Sequence, residues 1–224
     1  MKTAINFNAS AFQYNEYLIV LTPNEHTSDH INSVKKEFSV KFKTSLVSYK
    51  PQIIILQFIQ FEMIEERLLN HLKNISVCYK SFLIKLNDYG SFPSHTIFIN
   101  IESQLQVRNL VTQLKSVERI LNLDKENKAH FFDHFYISVA TKLLPWQYEK
   151  AWLEYSKAHF AGSFMVDGLT ILKRKVEHFT DHFQPKGSYK FLKRFQFMNS
   201  PVTTAQGELF TYFFDYNSHS IKKI

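Results

Sequence analysis

A set of five element signals occurs twice along this chain, and that recurrence restricts the fold more than any single motif does. The first set runs through the apolar stretch Tyr17–Leu21, a helical pattern carrying Ile31, Val34 and Phe38, the β-branched run Ile53–Phe58, the helical segment Glu62–Asn74 and the stretch Phe82–Leu86. Its second helix is acidic at the start and basic near the end, as a helix dipole favours. Gly90 and Pro93 then mark a turn. The second set is His95–Ile101, the helical pattern Leu105–Leu121, His134–Ala140, the helix Pro145–Phe160 and the stretch Ser163–Leu172. Equivalent positions lie 78 (Tyr17, His95), 82 (Gln52, His134), 83 (Glu62, Pro145) and 81 (Phe82, Ser163) residues apart. Side-chain identity between the sets is slight, so architecture is what repeats. We therefore expect one domain over 1–224 with two similar lobes, repeats at about 15–90 and 93–200, facing each other. A last strand is expected over Tyr189–Phe197, after a polar segment at 176–187. The cleft between such lobes is where a ligand belongs.

Composition supports a folded domain and narrows its chemistry. The 224 residues are 45% hydrophobic and include 22 Phe and 11 Tyr, enough apolar surface for a sizeable core. Only five glycines are present, and neither GxGxxG nor GxxxxGK[ST] occurs, which argues against a glycine-rich nucleotide loop. A formal net charge of +7 favours anionic partners. Cys78 is the single cysteine, so no internal disulfide forms, and a reducing cytoplasm is the expected setting. No His/Asn pairing marks Cys78 as a nucleophile. The N-terminus lacks a signal-peptide apolar core, and no apolar run approaches the ~18 residues of a membrane span.

The equivalent strands K-P-Q52-I-I54-I-L and D-H134-F-Y136-I-S-V carry the candidate chemistry. Side chains at i and i+2 share a strand face, so Gln52 with Ile54, and His134 with Tyr136, are expected to converge on the cleft. These two segments resemble the paired His-x-Thr/Ser motifs of the 2H phosphoesterase superfamily, in particular its 2'-5' RNA ligase branch. The resemblance extends to P-W-Q-Y-E-K-A-W-L-E-Y-S (145–156), S-F-M-V-D-G-L-T-I-L-K-R (163–174) and F-P-S-H-T-I-F-I (92–99), and covers roughly residues 15–200. It implies an α+β fold of two pseudo-symmetric lobes, each an antiparallel sheet with flanking helices, around a central cleft. It also implies metal-free, cofactor-free chemistry: one histidine takes a proton and the other gives one while a 2',3'-cyclic phosphate opens or a 2'-5' bond forms. The implied partner is RNA or a nucleotide with a terminal or cyclic phosphate.

Three of the four motif positions depart from that pattern. Gln52 stands for the first histidine, Ile54 for the first hydroxyl residue and Tyr136 for the second; His134 alone matches. Glutamine can hydrogen-bond a phosphate but exchanges no proton near neutral pH. The expectation is a degenerate member that binds an RNA end or nucleotide phosphate with catalysis reduced or lost, His134 being the retained catalytic histidine and Gln52, Ile54 and Tyr136 facing the ligand. An active 2',3'-cyclic phosphodiesterase with a different second proton carrier, and a protein-interaction module, are the alternatives. Lys190 and Arg194, on one face of the last strand, are further candidates for phosphate contact. His95 reads as a strand-edge histidine. The i, i+4 pairs His26/His30 and His178/His182 lack an evident third ligand and read as surface residues, so no metal site is expected.

Overall fold

The computed structural model describes residues 13–45, 50–123, 125, 127–178 and 183–198, together with a small ladder, β10 (Val202–Thr203) against β11 (Leu209–Phe210). In chain order the main elements are β1 (Tyr14–Leu21), α1 (Glu25–Phe42), β2 (Ile53–Phe61), α2 (Glu65–Cys78), β3 (Phe82–Phe92), β4 (Thr96–Ile101), α3 (Gln104–Leu114), α4 (Glu118–Leu121), β5 (His130–Phe131), β6 (Tyr136–Ala140), α5 (Pro145–Tyr155), β7 (Ala161–Val166), β8 (Gly168–His178) and β9 (Phe183–Gln196). The strands build two antiparallel sheets, one ordered β5-β2-β1-β8-β9 and the other β6-β4-β3-β7. This is the two-lobed α+β architecture that the recurrence and the resemblance imply.

The lobes are not successive halves of the chain. β3, from the first set, pairs with β4 in the second sheet, while β8, from the second set, pairs with β1 in the first. Helices cross over as well: α1 lies on β6 and β7, whereas α2 sits against β9 and α3 against β2. Each lobe therefore draws on both repeats.

Local chemistry explains the boundaries. Asn24 caps α1 by accepting the Thr27 N–H at 3.0 Å, and Lys43 ends it in the left-handed conformation (φ 51°). The buried face of α1 presents Ile31, Phe38 and Phe42, and both phenylalanines meet Tyr155 of α5 edge-on. Pro145 opens α5, where its missing N–H costs nothing. Gln147 then donates to the carbonyls of Phe42 and Lys43 (3.2 and 3.1 Å), fixing the start of α5 to the end of α1.

Two expected elements are divided. The stretch Ser163–Leu172 is two strands that meet at Asp167, where the chain leaves one sheet for the other. A Cβ on Gly168 would lie 2.3 Å from the Phe195 carbonyl oxygen, so this crossing needs glycine. The pattern Leu105–Leu121 breaks after Leu114 into a tight turn at 115–117 and then α4. The polar segment 176–187 is part of the β8–β9 hairpin, of which 179–182 lie outside the described residues. No helix among the described residues is long and apolar enough to cross a membrane.

Candidate functional site

A short strand brings the two motif segments together. β5 pairs with β2 (Leu56 opposite Phe131, Gln57 opposite His130), and the Phe132 N–H donates to the Ile55 carbonyl at 3.1 Å. The chain then bends through Asp133 and His134 and enters the other sheet at Tyr136, opposite Asn100. His134 is thereby held on the seam between sheets, in a bend; the expected strand start at His134 moves to Tyr136 because the preceding residues make this crossing. Gln52 likewise sits one residue before β2.

Gln52, Ile54, His134 and Tyr136 line one cavity of about 270 Å³. The His134 ring packs against Phe92, Phe98 and Tyr136, with centroids 5.6, 5.7 and 5.8 Å away. Such edge and tilted contacts hold a ring in place while leaving its nitrogens free to bond. Tyr136 rests on Phe98 at 4.7 Å, and burial raises its phenol above the ordinary tyrosine value.

Phe132 and four polar residues that sequence reasoning passes over, Lys35, Lys50, Ser138 and Thr141, complete the lining. Ser138 follows from the alternation that selects His134 and Tyr136, carried one step further. Lys35 is only 4% exposed, and burial pushes its ammonium down to about 8. Its signal is position, four residues after Ile31 and three before Phe38, on the apolar stripe of α1. Lys35, Lys50 and His134 can each carry positive charge, and none of the cavity's described lining residues is Asp or Glu. Chemically, Gln52 offers amide donors, Ser138 and Thr141 offer hydroxyls, and His134 can exchange a proton; Ile54 can do none of these.

A larger groove of about 1380 Å³ adjoins the cavity and shares Lys50, Gln52 and Thr141 with it. Lys43, Lys142 and Arg194 add positive charge there, Glu25 and Asp29 negative, and Tyr189 and Phe191 contribute aromatic faces.

The last strand differs from the expectation in one respect. Arg194 and Lys190 do not share a face. The β8–β9 register slips between Ile171 and Leu172, so Arg194 opposes Thr170 while Phe191 opposes Leu172 and Lys190 opposes Lys173. An extra residue in one strand shifts its alternation by one, and cross-strand partners share a side. Arg194 and Phe191 accordingly face the groove with Thr170 and Leu172. Lys190 goes to the opposite side with Lys173, whose ammonium bonds Glu62 and Glu65 at 3.1 and 2.6 Å. Arg194 is itself engaged, ion-paired with Asp167 and donating to the hydroxyls of Thr22 (2.9 Å) and Thr170 (3.1 Å).

The remaining candidates lie elsewhere. His95 is exposed in the turn before β4, its Nδ1 2.7 Å from the Thr96 hydroxyl. His26 and His30 are exposed on α1, and His30 stacks on Phe160. The His178 side chain and His182 lie outside the described residues. Cys78 is exposed at the end of α2.

Among solved structures, E. coli LigT complexed with 3'-AMP aligns with a TM-score of 0.53 at 12% identity, covering 83% of this chain and 98% of LigT. TT0787 of Thermus thermophilus aligns with a TM-score of 0.53 at 14% identity, covering 81% and 97%. LigT complexed with NADP+ gives 0.51 at 13% identity, over 82% and 98%. At these identities the likeness concerns the fold. No curated protein matches the chain. The pattern of one family, the 2'-5' RNA ligase superfamily, matches residues 51–178, which contain all four motif positions and more than half of the 224 residues. With that match and the shared two-sheet fold, the chain belongs to the 2'-5' RNA ligase superfamily.

Proposed function

We propose that this chain binds a nucleotide or RNA end through its phosphate, in the cavity between Gln52 and His134, with proton-transfer catalysis reduced relative to a site with two histidines. The observation that carries this reading is the lining itself: three groups able to hold positive charge, amide and hydroxyl donors, and no carboxylate among the described lining residues. Phosphate oxygens accept hydrogen bonds and carry negative charge, so such a lining suits them. Solved structures of the fold relative LigT hold 3'-AMP and NADP+, which supports looking for the same class of ligand here.

The reduced catalysis follows from Gln52. Opening a cyclic phosphate needs one group to take the proton of the attacking water and another to protonate the departing sugar oxygen. His134 can do one of these; an amide can do neither. Each such group contributes typically 10²–10⁴-fold. A reducing cytoplasm, suited to the single exposed Cys78, is the setting we infer.

The test is calorimetric titration of the full chain with 3'-AMP, with adenosine as control, beside a turnover assay on 2',3'-cyclic nucleotides. Binding of 3'-AMP but not adenosine, with turnover weak or undetectable, is the expected result. Robust turnover that vanishes in His134→Ala would establish an active phosphodiesterase instead. Absence of phosphate-dependent binding would favour the protein-interaction alternative.

A further inference from the structure

Lys35 breaks the patterning of its own helix. Its neighbours on the inward stripe of α1, Ile31, Phe38 and Phe42, are at most 2% exposed, and a leucine or methionine between them would complete an apolar face. The chain places a lysine there instead, 4% exposed as a residue and lining the cavity that Gln52 and His134 also line. Burying a charged group costs free energy that an apolar side chain would not incur. Position then decides what the charge can do. A buried cation acts on whatever enters the cavity through a lower effective dielectric than the solvent-exposed Lys50 does, so its attraction for an anion is several-fold larger at equal distance.

We propose that Lys35 is the principal phosphate-recognition residue of this cavity, and that binding a phosphate monoester is coupled to keeping Lys35 protonated. The inference rests on reading the cavity as a phosphate site. It goes further by assigning recognition to a residue outside both motif segments, contributed by a helix of the first repeat.

The other ionisable groups facing the cavity are Lys50 from the segment before β2, His134 from the bend and Tyr136 from β6; α5 and β7, which also pack on α1, contribute none to its described lining. Burial moves the Tyr136 phenol upward, away from neutrality. Burial moves Lys35 the other way, to about 8, where a bound dianion would draw it back up. A phosphate monoester such as 3'-AMP loses its second proton near ~6, so it is a dianion throughout the alkaline range and contributes no titration of its own. Affinity should then be highest near pH 7 and fall as Lys35 of the unliganded protein loses its proton, roughly tenfold between pH 7 and pH 9. At pH 8, binding should take up about half a proton per ligand.

The experiment is calorimetry of the full chain with 3'-AMP at pH 7, 8 and 9, in buffers of different ionisation enthalpy, on wild type, Lys35→Met and Lys50→Met. The expected result is the tenfold fall and the half-proton uptake in wild type, both kept in Lys50→Met. In Lys35→Met, shown to be folded by circular dichroism, affinity at pH 7 should drop at least tenfold. Wild-type binding that is flat from pH 7 to pH 9, or Lys35→Met binding of wild-type strength, overturns the role of Lys35 and leaves the phosphate-site reading standing. Wild-type protein that binds no 3'-AMP at pH 7 overturns both.

Discussion

Replacing Lys35 by methionine should make the free protein more stable, and by an amount that depends on pH. The unfolded chain holds this ammonium at the ordinary lysine value of 10.5, and the folded chain at about 8. That gap corresponds to roughly 3 kcal/mol of differential stability between charged and neutral forms. The folded value is the lower one, so between about pH 8 and 10.5 the unfolded state binds more protons, and wild-type stability from this group rises with pH across that window. Below pH 8 the whole penalty is present. Methionine has nearly the same length, carries no charge and suits the stripe of Ile31, Phe38 and Phe42. The variant should therefore exceed wild type by up to about 3 kcal/mol at pH 7, and by about 1 kcal/mol at pH 10. For a chain of this size that is a rise in Tm of roughly 5–10 °C at pH 7. Urea unfolding at both pH values measures the two differences directly. A variant less stable than wild type at pH 7, or a difference that does not change with pH, would refute the reasoning, because either would mean that the ammonium is not held at a cost.

Three further outcomes follow from the geometry. Gln52→His, Ile54→Thr and Tyr136→Thr together should raise turnover of 2',3'-cyclic nucleotides more than any one of them, since groups acting on one phosphate work as a unit; His134→Ala on that background should remove the gain. Binding of short RNA should weaken steeply with salt, and charge reversal at Lys43 or Lys142, which line the groove, should weaken it more than reversal at Lys190, which faces the other side of the sheet; gel-shift titration at two salt concentrations reads both effects. Gly168→Ala should cost at least 1–3 kcal/mol in chemical denaturation, because its Cβ would meet the Phe195 carbonyl oxygen at 2.3 Å and backbone yields less readily than a side chain.

The parts of the site that can be read in the sequence are those governed by alternation. Gln52 and His134 are equivalent positions in a recurring order of elements, and the i, i+2 rule places Ile54 and Tyr136 beside them; the structure lines one cavity with all four. The same rule misplaces Lys190, because a single extra residue in β9 inverts the alternation beyond it and nothing in K-F-L-K-R announces a bulge. Lys35 escapes a sequence reading because a lysine on an apolar stripe is commonly taken as a residue whose stem is buried and whose head reaches water. Here α1 packs against β6, and Lys35 is buried among the residues that line the cavity instead. The split of Ser163–Leu172 is hidden for a different reason: Asp167 and Gly168 signal a break in the strand, but only the partner strands show that the chain has changed sheets there.

The exchange of strands between lobes also constrains how the protein is made. Leu18 of β1 pairs with Leu172 of β8, 154 positions later in the chain. A ribosome adding ~5–20 residues per second leaves β1 without this neighbour for roughly 8–30 s. Throughout that interval one edge of a strand that the finished fold almost wholly buries stays open to other chains. Neither half of this chain can be expected to fold when expressed alone, since each half lacks strands that its sheets need. Co-expression of residues 1–92 with 93–224 should restore both sheets by complementation, and the two fragments should copurify as one particle.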